Sequence, residues 1–73
     1  MNATRYAIII ERGPTSYGAY SPDVPGCVAA ADTEEEVRRL IAEAIEFHIE
    51  GLKLRGQPVP QPTSTVDYVE VAA

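Results

Sequence analysis

The residues best equipped for chemistry are few: one histidine, one cysteine and a scatter of carboxylates. His48 lies one helical turn after Ala44 and one before Leu52, inside an apolar stripe. An imidazole there would serve as a buried general base or metal ligand, or would simply pack with one hydrogen-bond partner. Cys27 and His48 would make a nucleophilic pair only with an orienting residue, an oxyanion hole and a substrate cleft. No recognisable version of these follows in the sequence, and Cys27 reads as a small buried hydrophobe. A zinc site needs three or four clustered ligands, whereas this pair has no motif spacing. The carboxylates Glu11, Asp23, Asp32, Glu43 and Asp67 invite a two-metal nuclease, which requires several of them to converge on a pair of ions. Most fall instead at helix starts, exposed helix positions or turns. We therefore assign no catalytic residue, no cofactor and no metal ligand, and read the chain as a binding protein and not an enzyme.

The elements that would position these groups can be read from periodicity. Residues 4–12, "TRYAIIIER", put Tyr6, Ile8 and Ile10 on one face and Ala7, Ile9 and Glu11 on the other, as a fairly central strand does. "GPTS" (13–16) is a hairpin connection, "YGAYS" (17–21) a second strand and "CVAAA" (27–31) a third. Small side chains at Ala29 and Ala31 let a helix lie close. That helix starts at "DTEEEV" (32–37), where Thr33 is the N-cap and Glu36 completes a capping box, with Glu34 and Glu35 on the favourable end of the helix dipole. Val37, Leu40, Ile41, Ala44, Ile45 and Leu52 form its apolar stripe, and Gly56 is its stop after Leu54 or Arg55. Three prolines then force "GQPVPQP" (56–62) into an extended path, and "TSTVDYVEV" (63–71) reads as a last strand parallel to the first. The expectation is one α+β domain over residues 1–73, of order β-β-β-α-β, with a single sheet covered on one face by one helix. The other sheet face, with Ile9, then lacks cover within the chain and favours a homodimer.

Size and charge narrow the function. Area scaling gives a folded surface of about 4,400 Å², enough for one thin core and too little for a deep active-site cavity. The net charge is −5, from 11 acidic and 6 basic side chains. Such a chain is a poor polyanion binder, so direct nucleic-acid binding is not expected, while a basic protein partner would be steered towards it. A lone cysteine excludes an internal disulfide and fits a reducing cytoplasm. No stretch approaches the length of a membrane span or a signal-peptide core.

"SPDVPG" (21–26) has two prolines and a glycine in six residues, and so has few shapes to choose from. It is either a tight connection, with Asp23 bonding back to nearby amides, or a stiff knuckle presented to a partner. Composition alone leaves both readings open.

The order of short motifs resembles the HicB-like antitoxins. It runs from Tyr6 with Ile8–Ile10, through "YSPDVPGC" (20–27), "ADTEEEV" (31–37) and "AIEFHIEGL" (44–52), to "RGQPVPQP" (55–62). The resemblance implies a degraded ribonuclease-H-like fold and a partner of the HicA toxin type, a small basic ribonuclease that cleaves messenger RNA and is neutralised by masking. The contact surface expected for that partner is the knuckle, Pro22, Asp23, Pro25 and Gly26, together with the acidic helix start, Asp32, Glu34 and Glu35. Many members add a C-terminal DNA-binding domain of helix-turn-helix or ribbon-helix-helix type. "VDYVEVAA" (66–73) has no basic or helical continuation, so a stand-alone neutralising domain is expected. The competing readings are a residual metal-dependent nuclease or hydrolase of ribonuclease-H-like fold, and an orphan interaction module.

Overall fold

The computed structural model describes residues 3–73. Three strands, β1 (Ile9–Arg12), β2 (Tyr17–Tyr20) and β3 (Val28–Ala31), precede one long helix, α1 (Glu34–Leu54). The strands form an antiparallel meander in the order β1-β2-β3. Gly13 N–H donating to Ser16 O at 2.8 Å closes the first turn. Register sets the two faces of the sheet. Ile10, Ala19 and Ala29 stand in one cross-strand row that packs towards the helix, and Ile9, Tyr20 and Val28 form the neighbouring row on the opposite face. The helix packs most closely on β3, where Ala29 and Ala31 leave room for it.

The helix begins and ends where its local chemistry dictates. Thr33 Oγ1 accepts the Glu36 N–H at 3.1 Å, and Glu34, Glu35 and Glu36 occupy the first turn. At the other end Gly56 takes φ 66, its N–H reaches Lys53 O at 3.1 Å, and Gln57 N–H reaches Leu52 O at 2.9 Å. This pair of bonds is a Schellman motif, which satisfies carbonyls a helix end otherwise leaves open. Replacing Thr33 by Ala leaves the Glu36 N–H without its side-chain acceptor and should cost about 1 kcal/mol. Thermal denaturation should then show the midpoint about 4–8 °C lower.

The core consists of Ala19, Val24, Cys27, Val37, Ile41 and Ile45, with Tyr6, Ile8, Ile10, Tyr17 and Ile49 packed around it. Val37, Ile41 and Ile45 recur at four-residue steps on one helix face, as the sequence pattern predicts. Leu40, Ala44, His48 and Leu52 are half-buried at the margins of that stripe.

Two expected strands are corrected. The first was expected over residues 4–12 but pairs only over Ile9–Arg12. Side chains hold its leading part instead: Ser21 Oγ donates to Ala7 O at 2.8 Å, and Tyr6 Oη donates to Pro60 O at 2.6 Å. The last strand, expected over 63–71, does not form, so the order is β-β-β-α. The N–H groups of Thr63 and Ser64 are bonded to Asp23 instead of a ladder. Beyond them Val66, Tyr68, Val69 and Val71 are all exposed. The accessible surface is accordingly 6013 Å², well above the about 4,400 Å² that area scaling gives for a fully compact chain of this mass.

Candidate functional site

The Ser21–Gly26 knuckle is stiff because it is anchored from within. Val24, between the two prolines, is completely buried, and Ser21 beside it is 4% exposed. Val24 N–H donates to Ser21 O, and Cys27 N–H donates to Val24 O, each at 3.3 Å. Gly26 turns the chain into β3 at φ 87, a conformation that a Cβ would strain. Pro22, Pro25 and Gly26 are thereby held exposed around the plug.

Asp23 does not bond back into its own turn. Its Oδ2 accepts the N–H groups of Thr63 at 3.1 Å and Ser64 at 3.0 Å, while its Oδ1 accepts their hydroxyls at 3.0 and 2.9 Å. One carboxylate thus latches the tail to the knuckle. The Ser64 N–H, helped by both hydroxyls and the Thr63 N–H, holds the Asp23 carboxyl below its ordinary value of 3.8. A lowered carboxyl pKa stabilises the latched form above that ordinary value, and the contribution disappears as pH falls through the lowered one. In a pH titration followed by NMR, the Thr63 and Ser64 amide resonances should therefore stay constant at neutral pH and shift together in acid, with a common midpoint below the ordinary carboxyl value of 3.8. Asp23→Asn should shift them at every pH.

The acidic start lies elsewhere. Asp32, Glu34 and Glu35 are all exposed, at the far end of β3 from the knuckle. Six residues of extended chain, about 20 Å, separate Gly26 from Asp32. The expected contact residues therefore form two clusters at opposite ends of one strand.

The groups with chemical potential are dispersed. Cys27 and His48 border the same groove between β3 and α1, but the thiol is occupied. Its Sγ donates to Ala44 O at 3.7 Å, and burial pushes its pKa up, away from the thiolate a nucleophile needs. Glu43 is tied to Arg39 at 3.2 Å on the exposed helix surface. Among the described residues no three His, Cys, Asp or Glu side chains group as a metal site would require, and no helix is long and apolar enough to cross a membrane. What the surface offers is contact, charge and a fixed shape. Sequence reasoning missed the Val24 anchor, whose signal was an apolar side chain centred in an otherwise polar loop. It also missed Thr63 and Ser64, for which no local signal exists.

The profile of the HicB_like antitoxin of bacterial toxin-antitoxin systems matches residues 6–72. The chain belongs to the HicB-like antitoxin family. This HicB-like domain is 39% identical over 64 residues to an uncharacterized 14.9 kDa protein of Haemophilus phage HP1 encoded in its rep-hol intergenic region; the match takes in 88% of this chain and 48% of the phage protein. The chain thus spans about half the length of that relative. It is 40% identical over 57 residues to a UPF0150 protein of Synechocystis sp., covering 77% of this chain and 72% of the relative. Among solved structures it superposes on a chain of the HicA3 and HicB3 toxin-antitoxin complex with a TM-score of 0.69 and 33% identity, over 82% of this chain and 70% of the other. The three antiparallel strands and the helix are thus a fold that occurs in a toxin-antitoxin assembly.

Proposed function

We propose that this HicB-like domain is the antitoxin half of a toxin-antitoxin pair, and that it neutralises a small, basic, HicA-type messenger-RNA-cleaving ribonuclease by covering it. The observation that carries this reading is the family match over residues 6–72, supported by the likeness to a chain of the HicA3 and HicB3 complex. The surface is suited to the task. Asp32, Glu34 and Glu35 present a dense negative patch to a basic partner, which favours fast and selective encounter. The Val24-anchored knuckle, with Pro22, Pro25, Gly26 and the latched Asp23, loses little conformational freedom on docking. The protein works in the cytoplasm without chemistry and without touching nucleic acid. It also self-associates through apolar surface that its single helix leaves open.

The test is to co-purify the tagged protein with its partners from the source cells. A small basic ribonuclease should be captured, inactive in the complex and active once released. Reversing the charges of Asp32, Glu34 and Glu35 to Lys together should slow association by about tenfold at low salt and leave the fold intact. Recovery of a non-nuclease partner, or association unchanged by the reversal, would set this reading aside.

A further inference from the structure

Two adjoining hollows lie between α1 and β1 with the segment that leads into it. The larger has a volume of about 770 Å³, within the roughly 300–1,000 Å³ typical of small-ligand sites. Its apolar lining is Tyr6, Ile8, Ile41, Ile45, Ile49 and Val59. Ile41 and Ile45 are buried and the other four half-buried, so the floor is recessed and no large apolar side chain projects from it. Tyr6 Oη donates to Pro60 O at 2.6 Å and ties the Val59 wall to the segment before β1. Arg38 and Lys53 are the first and last helical residues along this hollow, about 22 Å apart by helical rise.

The smaller hollow, of about 510 Å³, shares Ile8 and Arg38 with the larger and continues it towards the start of the helix. Its chemistry is different. Arg12 and Arg38 line it together with Tyr17 and Tyr68, and Glu34 is its one carboxylate. Among the described residues the ion pair is Arg39 with Glu43, so neither Arg12 nor Arg38 has a carboxylate partner there, although Glu34 is one helical turn from Arg38. Two guanidiniums thus stand against one carboxylate at this end. At the Lys53 end one ammonium stands against two, Glu46 and Glu50. In a chain of net charge −5, the Arg12 and Arg38 end is a place where an anion is not repelled.

We propose that the two hollows form one site for a single-chain amphiphilic carboxylate of the fatty-acid type, its head on Arg12 and Arg38 and its chain laid along Ile8, Ile41, Ile45 and Ile49. A guanidinium fork matches a carboxylate with two parallel hydrogen bonds, and the phenols of Tyr17 and Tyr68 can donate to its remaining lone pairs. The uneven charge sets the direction of the chain, since a head at the Lys53 end would meet Glu46 and Glu50. The recess sets its shape. A slender alkyl chain reaches buried Ile41 and Ile45, whereas a flat protein face would stop at the exposed rim of Ala42, Glu46 and Glu50. The hollows are open along one side, so the chain leaves water only in part and binding is reversible. This site needs no protein partner, and of the residues proposed to meet the toxin it includes Glu34 alone.

Calorimetric titration of the full chain with dodecanoate, kept below the concentration at which it forms micelles, tests the proposal. One molecule should bind per chain with micromolar affinity. Dodecanol, which has the chain without the charge, should bind at least tenfold more weakly, and acetate, the head without the chain, should not bind. Arg12→Ala and Arg38→Ala change exposed side chains and should leave the thermal midpoint in place. Each should weaken dodecanoate at least tenfold and leave dodecanol unchanged. Ala42→Trp, also at an exposed position, fills the larger hollow and should abolish binding of both while ribonuclease capture persists. A wild type with no saturable dodecanoate binding overturns the proposal, whatever the outcome of toxin capture. Equal affinity for dodecanoate and dodecanol, or an affinity that the arginine variants leave unchanged, also overturns it. Loss of ribonuclease capture in a folded Ala42→Trp overturns it in favour of a protein occupant.

Discussion

Val24→Asp is expected to leave the domain unfolded at ambient temperature, and Val24→Ala to lower its stability by about 2 kcal/mol. Val24 is fully buried in the core with Ala19, Cys27, Val37, Ile41 and Ile45, and no side chain among these could partner a carboxylate. A charge there must be desolvated without compensation, at a cost comparable with the whole stability of a small domain. The alanine variant only opens a cavity. Its second effect is local: the two bonds that fold the loop, Val24 N–H to Ser21 O and Cys27 N–H to Val24 O, lose the anchor that holds them in place. Circular dichroism should show no cooperative transition for the aspartate variant. For the alanine variant it should show a midpoint about 8–16 °C lower, and NMR should show the Thr63 and Ser64 amide resonances shifted, because the carboxylate they bond to is held less firmly. A wild-type transition in Val24→Asp would mean that the knuckle is not plugged into the core.

Ile41→Ala should have the next largest effect, about 3–4 kcal/mol. Ile41 is completely buried, in the middle of the α1 stripe between Val37 and Ile45. Its neighbours come from a helix and a thin sheet, and a single layer on each side cannot close over the vacancy. Chemical denaturation should show the denaturant midpoint falling with an unchanged slope, as a loss of stability without a change in the surface exposed on unfolding requires. A loss below about 1 kcal/mol would mean that the core relaxes into the space.

The elements with strong local signals were legible from the chain alone. The capping box at Thr33 and Glu36, the four-residue recurrence of Val37, Ile41 and Ile45, and Gly56 at the helix end specify α1 through chemistry within a few residues of each terminus. Tyr17–Tyr20 and Val28–Ala31 follow from turn residues on either side. The failures share a cause: a long-range bond outcompeted a local preference. Residues 63–71 have strand composition, yet Asp23, 40 residues earlier, takes the Thr63 N–H. Residues 4–8 read as strand, yet the Ser21 hydroxyl takes the Ala7 carbonyl. The same holds for the candidate site. Its residue types and loop stiffness could be read, but its division between two ends of β3 depends on the meander closing as it does.

That division has a consequence for recognition. β3 is paired to β2 along its length and pressed against the helix, so the gap between the knuckle and the acidic start cannot stretch or shrink. It behaves as a ruler. On the masking role proposed above, a rigid partner whose two contact points are about 20 Å apart would engage both, and the second contact would form at the high effective concentration set by the first. A flexible peptide, or a basic protein with the wrong spacing, gains one contact and leaves quickly. Selectivity among basic proteins would then reside in a length as much as in a charge.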